Sequence, residues 1–514
     1  MTDAKQIKLT PPSQTASPAG RRGTTPAQPS WLRSHWGLLA AVVALIVVIA
    51  MPTPEGLPVA GHRMLAVLAF AVIVWMTEAL DYAVSAIVIA AMMAFLLGLS
   101  PSITNPDVLM GTSAGLGLAF SGFANTALAL VAAALFLAAA MTATGLDKRI
   151  ALVILSRVGT ETRDVILGSI LIGFIMAFLV PSTTARVACL VPIMLGIITA
   201  FGVDKKGTFA SMLMITTVQT ASIWNVGIKT AAAQNMVAVG FIERTLKHTI
   251  TWIEWFVAAA PFAVLMSIAL YFVMTRMMPP EVKAVPGGRE AIRRSLAELG
   301  PMKTSEKKLL AISLTLLAFW ATEGVLHRFD TSSTTIAAVA LMFLPGIGIM
   351  TWKEAQPRIP WGTIVLFGIG ISLGTALLQT RGATWLANIV VAEFGLTNAT
   401  ALFILGVMSL FLVIIHLGFA SATALAAAMI PIIIAVLQQV ATPGINIVGM
   451  TMLLQFVVSF GFILVVNAPQ NMVAYGTETF EAKDFVRTGL VLTVIALGLV
   501  MLLGATYWRW LGYS

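Results

Sequence analysis

The side chains whose types and spacing suit chemistry fall in two matched sets inside apolar sequence. The first opens with Ser182, Thr183, Thr184 and Arg186 in PSTTARVACLVP and continues through Lys229 to Gln234 and Asn235 in AAAQNMVAVG. The second is Ser421, Ala422 and Thr423 in GFASATALAAAMIP, followed by Asn467, Gln470 and Asn471 in NAPQNMVAYG. Ser182 and Ser421 are 239 residues apart, as are Pro192 and Pro431, and Gln234 and Gln470 are 236 apart, so the chain is two related halves. Hydroxyls donate and accept. A helix that starts just past a break points free N–H groups and its positive dipole end at that break. Such tips suit an anion, while carbonyls freed at the same breaks could instead hold a sodium ion near Ser421, Thr423 and Asn467.

An ionised side chain at mid-membrane is costly and faces a cavity or a partner. Arg186 follows the first hydroxyl cluster directly. Its planar fork suits a carboxylate, and its alternative use is to brace backbone carbonyls. Lys229 either faces the same pocket or snorkels to the surface. Gln234, Asn235, Gln470 and Asn471 are expected to line the pocket; the alternative is that they satisfy backbone groups orphaned by the breaks. Glu78 and Glu323, in WMTEA and WATEG, read as interfacial or structural, and Cys189 as inert. His416 reads as a packing residue, with pH sensing the alternative. Neither Ser182 nor Ser421 has a histidine or acid at helical spacing, and the five histidines form no HExxH pattern, so neither a catalytic residue nor a resident metal cofactor is expected.

The elements that must position these residues are transmembrane helices. Of 514 residues 58% are hydrophobic and 10% charged, with mean hydropathy +0.93, a composition outside the range of soluble domains. The net charge of +9 sits in loops between apolar runs, which indicates the positive-inside effect and no nucleic-acid partner. A single cysteine excludes a disulfide framework. Residues 1–35 read as a disordered cytoplasmic tail, without the form of a cleavable signal. Two membrane halves, 36–275 and 309–514, are joined by a basic cytoplasmic linker, 276–308. Spans of about 20 residues are expected near 36–51, 64–79, 84–99, 116–144, 209–240 and 252–273, then 309–325, 336–349, 361–379, 447–475 and 485–507. The blocks 165–201 and 401–437 are broken in the middle. Limbs of about 15 residues reach roughly 22 Å, short of the roughly 30 Å hydrocarbon core, and predict re-entrant hairpins. Lys148, Arg149, Arg157, Lys205 and Lys206 flank the first and place it on the cytoplasmic side; no basic residue flanks the second, which should enter from outside.

The expected fold class is therefore an all-α integral membrane protein, with about eleven transmembrane helices plus two re-entrant helical hairpins in inverted repeats. Its place is the inner (cytoplasmic) membrane of a bacterial-type cell, with the N-terminus inside and the C-terminus outside. Mirrored broken helices meeting at mid-bilayer mark a secondary transporter. An anion channel would need only one continuous polar path.

The tip motifs, the QN breaks and the paired TEA and TEG stretches together resemble the divalent anion:sodium symporter family, from Trp36 to the end of the chain. The resemblance implies transport of a small divalent organic anion (C4-dicarboxylates or related di- and tricarboxylates) or sulfate, with sodium as coupling ion. It also implies an elevator motion of the hairpin domain against a scaffold, and a homodimer in the lipid bilayer. In that family each tip carries Ser-Asn-Thr, whereas here the tips read Ser182-Thr183-Thr184 and Ser421-Ala422-Thr423. The Gly-Thr-Pro-Pro-Asn break of sodium-coupled members reads Ala231-Ala232-Ala233-Gln234-Asn235. PSTTAR and HLGFASATA are similar to the exchanger branch, the citrate and tartrate antiporters and plastid dicarboxylate translocators. That branch has an arginine at the place of Arg186 and a histidine where this chain has Leu425. The implied activity is anion exchange or weakly sodium-dependent transport, with sodium symport the alternative.

Overall fold

The structure, a computed structural model, describes residues 31–157, 159, 161–200, 202–281 and 288–514; residues 1–30 of the expected tail lie outside them. Every named element among the described residues is helical. The first half opens with α1 (Trp31–Ala50), which takes in the end of the expected tail, then α2 (Val59–Thr77) and α3 (Tyr82–Gly98). The apolar run expected as one span, 116–144, is broken into α4 (Thr112–Phe120), a 3-10 turn (Ser121–Phe123) and α5 (Thr126–Thr144), with the Asn125 side chain accepting the Ala127 N–H. The cause is a close approach of the second half. A Cβ at Gly122 would lie 2.1 Å from the Gly368 carbonyl oxygen, and the Gly122 N–H donates to Ser372 Oγ at 2.8 Å.

Gly145, with φ of 76°, ends α5 where the sequence places the stop, and the chain turns straight into α6 (Leu146–Arg157). The first broken block forms α7 (Thr162–Leu179) and α8 (Thr183–Ala200). Each limb has 18 residues, about 27 Å at 1.5 Å per residue, so length alone does not set the reversal as the sequence argument supposed. The polar ends Arg163 and Asp164 are helical too, which lengthens the first limb. The reversal is visible against α9 (Thr208–Gly227). Ser169 meets Thr217, Gly173 lies against Thr220 and Thr183 bonds Asn225, after which Arg186 reaches back to the Ala221 carbonyl. One limb runs along α9 and the other returns.

Helix α9 is buried along its whole length from Phe209 to Gly227, which is why it tolerates Gln219, Thr220, Ser222 and Asn225 inside apolar sequence. It unwinds into a 3-10 turn (Lys229–Ala231), resumes as α10 (Ala233–Phe241) and is followed by α11 (Trp252–Met277), opened by a Thr251–Glu254 capping box. Among its described residues the linker is partly helical. It contains α12 (Gly288–Glu298), packed on α6 and α8, and Arg149 fixes its end by donating to the carbonyls of Leu299 and Gly300 and to Glu306.

The second half comprises α13 (Thr304–Thr322), α14 (Thr331–Phe343), α15 (Trp352–Ala355), α16 (Trp361–Gln379), α17 (Gly382–Glu393), α18 (Ala401–His416), α19 (Ala422–Gln439), α20 (Ile447–Val458), α21 (Pro469–Tyr475), α22 (Ala482–Ala505) and α23 (Tyr507–Trp510). Helices α8 and α19 begin and end 239 residues apart, and α6 and α17 begin and end 236 apart. Pro192 and Pro431 lie inside α8 and α19. Among the described residues eight helices are long and apolar enough to cross a membrane, α7, α8 and α19 among them, and five shorter apolar helices accompany these.

Candidate functional site

Each hairpin tip is built the same way. Ser182 Oγ accepts the Ala185 N–H and Ser421 Oγ accepts the Ala424 N–H, so a serine caps the returning limb in both halves. Each unwound helix is also held the same way. Asn235 Nδ2 donates to the carbonyls of Asn225 and Ile228 at 2.6 and 3.1 Å; Asn471 Nδ2 donates to those of Gly461 and Leu464 at 3.1 and 3.3 Å. All three pairs of residues are 236 apart. Both asparagines thus serve the orphaned backbone, the alternative weighed for them, and neither lines the cavity.

The neighbouring glutamines act differently. Gln234 Nε2 donates to Ser459 Oγ and Gln470 Nε2 donates to Ser222 Oγ, each at 3.4 Å. Each half reaches into the other, the reciprocity of a two-fold relation.

The tips and breaks converge on a cavity of about 350 Å³. Ser182, Thr183, Thr184, Gln234, Ser421, Ala422, Thr423 and Gln470 line it, with Asn225 and Thr230. The lining also takes in Tyr82 on α3, Leu130, Val131, Ala134 and Leu135 on α5, and Thr363 and Leu366 on α16. Helices α8, α10, α19 and α21 all begin on this cavity, at Thr183, Ala233, Ala422 and Pro469. A helix start carries roughly half a positive charge and unpaired N–H groups. A neutral-looking lining is therefore strongly suited to an anion. A larger cavity, about 490 Å³, lies between α6, α8 and α12, but Asp147 and Glu298 stand beside Lys148 in its wall, so it has no such preference.

Arg186 is placed differently from the direct carboxylate ligand the sequence suggested. Its side chain is fully buried behind the first tip, off the cavity wall. Nη1 donates to the carbonyls of Val180 and Ala231 at 2.9 and 3.1 Å; Nη2 donates to Asn225 Oδ1 at 2.6 Å and lies 3.5 Å from both Thr183 Oγ1 and the Ala221 carbonyl. A cation thus sits in a cage of five oxygens. The helix-bracing alternative describes its bonds, yet its charge remains one side chain away from the cavity through Thr183.

In the second half the corresponding cage is closed by an amide. Phe419 stands 239 residues after Val180, and Asn467 stands 236 after Ala231. Asn467 Nδ2 donates to the His416 and Phe419 carbonyls at 2.7 and 3.0 Å, while its Oδ1 accepts the Leu464 N–H. The Asn467 amide thus turns an N–H donor toward two carbonyls near the expected sodium position, and Asn467 is off the cavity wall. Ala422 and Leu425 replace Thr183 and Arg186 at this tip.

Lys229 is buried and donates to the Ile250 carbonyl, away from the cavity. Glu323 is buried and accepts Thr331 Oγ1–H at 2.6 Å and the Trp252 N–H, as the structural reading expects. His416 is buried beside the second tip, and among the described residues its ring nitrogens have no partner. Sequence reasoning missed Tyr82, Thr230 and Thr363. Only Thr230 had a signal, its place between Lys229 and the first QN break; Tyr82 and Thr363 come from helices without any motif.

With this geometry in place, comparison with known proteins gives a consistent result. The family model described as the sodium:sulfate symporter transmembrane region matches residues 32–514. A Cupriavidus necator protein named only as a membrane protein is 57% identical over 483 residues, covering 94% of each chain. The sodium-dependent dicarboxylate transporter of Staphylococcus saprophyticus is 24% identical over 492 residues, 91% of this chain and 90% of that one. The L-tartrate/succinate antiporter of Escherichia coli is 24% identical over 479 residues, 91% of this chain and 97% of that one. Among solved structures, the Alcanivorax borkumensis YdaH transporter matches with a TM-score of 0.53 at 14% identity, over 82% of this chain and 97% of that chain, a likeness of fold.

Proposed function

The chain belongs to the sodium:sulfate symporter family, the divalent anion:sodium symporters, and is a multi-pass membrane transporter rather than an enzyme; from that premise we propose that it exchanges small divalent organic anions of the C4-dicarboxylate type. The observation that carries this is the convergence of helix starts from both repeats on one cavity, with the Arg186 guanidinium fixed behind it. The relatives named for dicarboxylate transport and for tartrate/succinate antiport support the substrate class.

Exchange is favoured over sodium symport by the two cages. A guanidinium fills one, and an amide donates into the other. A sodium ion needs several oxygens turned toward it, and guanidinium and amide N–H groups stand against the Val180, Ala231, His416 and Phe419 carbonyls. In this reading Arg186 stands where a coupling cation would, and the loaded carrier returns only with an anion aboard. Sodium coupling, which the family's description carries, is the alternative, and it would require Asn467 to swing away from the tip. The remaining elements of the reading are an elevator motion of the hairpins against the wall formed by α3, α5 and α16, a homodimer, and a place in the cytoplasmic membrane with the N-terminus inside.

The test is ligand stabilisation of the purified protein in detergent. Succinate should raise the melting temperature in choline buffer as much as in sodium buffer, while the monoanion butyrate should not. Stabilisation that appears only with sodium would replace exchange by symport.

A further inference from the structure

We propose that Gln234 and Gln470 read hydroxyl groups on the carried anion, so that the preferred substrates are four-carbon dicarboxylates hydroxylated at C2, or at C2 and C3. The proposal rests on the dianion reading above and narrows it.

Both glutamines occupy the second position of their helices, one residue after Ala233 and Pro469 respectively. Proline suits the first helical position, where no N–H partner is needed. Each amide is 7% exposed, lines the cavity and is steadied by a serine of the opposite half. The adjacent asparagines are consumed by backbone carbonyls, so of each QN pair only the glutamine is available to a guest. Gln219 and Gln455 provide a contrast: their carbonyl oxygens are sealed in the protein without a partner, whereas Gln234 and Gln470 open onto the cavity.

The chemistry of an amide decides what it recognises. With one N–H given to serine, each glutamine still offers one N–H and a carbonyl oxygen. A carboxylate can use only the donor and is repelled by the oxygen; a hydroxyl uses both. The carboxylates already have the helix starts at Thr183 and Ala422, together with the tip hydroxyls. What remains for the amides is the middle of the substrate. Because the two glutamines are related by the repeat, they form a matched pair, suited to substituents on both central carbons. An unsubstituted chain leaves both amides facing methylene, and a site built to bond a hydroxyl discriminates against the analogue lacking it.

The experiment uses the full-length protein in liposomes preloaded with succinate. Unlabelled succinate, malate and tartrate compete against labelled succinate for entry, in the wild type and in Gln234→Met and Gln470→Met. One hydrogen bond corresponds to roughly tenfold in affinity. Malate and tartrate should compete roughly tenfold or more better than succinate in the wild type. Each Met variant should lose that advantage by roughly tenfold, read as the ratio of malate or tartrate competition to succinate competition within the same variant. A merely structural role for the serine-linked amides would weaken all three acids alike, and that result overturns the proposal. Equal competition by the three acids in the wild type also overturns it, while leaving dianion exchange intact. Entry of no dicarboxylate would instead refute the dianion reading itself, and the proposal with it.

Discussion

Replacing Arg186 by methionine removes the buried charge and its guanidinium fork while keeping an unbranched apolar stem, and its cost can be worked from the geometry. Nη2 lies 3.5 Å from Thr183 Oγ1, and Thr183 is on the cavity wall. Thr183 gives its own proton to Asn225 Oδ1, so a substrate oxygen packs against Oγ1 without being bonded by it, roughly 3 Å further on, and the separation of charges is about 6 Å. At an effective dielectric constant of about 20, one negative charge at that distance gains about 2.8 kcal/mol, roughly a hundredfold in affinity. The variant should therefore bind succinate roughly a hundredfold more weakly, and a monoanion should lose about as much. Removing the guanidinium also strips the Val180 and Ala231 carbonyls of their donor, which would loosen the tip and cost a further ~1–3 kcal/mol for each unsatisfied group. Arg186→Lys separates the two effects. It retains the charge but not the fork, so it should recover much of the affinity while remaining less stable. The assay is binding of labelled succinate to detergent-purified protein, beside a melting curve for each variant. A folded Arg186→Met protein that binds succinate like the wild type would refute the electrostatic role.

The remaining predictions concern the second cage and the packing between repeats. Asn467→Asp replaces the donor to His416 and Phe419 by a carboxylate and leaves an all-oxygen cluster suited to a hard cation. Transport by this variant should rise with external sodium and saturate, where the wild type stays flat; a folded variant indifferent to sodium would count against the plugged-cage explanation. A Cβ at Gly489 would lie 2.0 Å from the Phe462 carbonyl oxygen in the unwound part of the second repeat. Gly489→Ala should therefore force α22 outward and destabilise the protein by roughly 1–3 kcal/mol, read as a lower melting temperature in detergent. An unchanged melting temperature would show that the contact can relax.

The doubled tips were legible because the repeat writes the same serine cap twice, at Ser182 and Ser421, and because a break inside apolar sequence has few physical explanations. The division of labour within each QN pair was not legible. Gln234 and Asn235 are adjacent amides at the same break, and only the turn of α10 sends one to the cavity and the other to the Asn225 carbonyl. Arg186 was recognised as a buried charge, but nothing local shows that Val180, Ala221, Asn225 and Ala231 bring their oxygens to it. The break at 121–123 was missed for a similar reason: its cause is the contact of Gly122 with Gly368 and Ser372 in the other half. Tyr82 carries no motif, since the wall it forms needs only to be close to the tips. Periodicity and composition report on single segments, whereas these features arise where segments far apart in sequence meet.

Counterflow tests the central claim most directly. Liposomes containing the purified protein are given labelled succinate outside, with or without succinate preloaded inside, and with or without an inward sodium gradient. Exchange predicts uptake only into preloaded liposomes, at the same rate with sodium as with choline. Sodium-driven accumulation in empty liposomes would contradict it, and would mean that a cation enters the tip region despite Arg186 and Asn467.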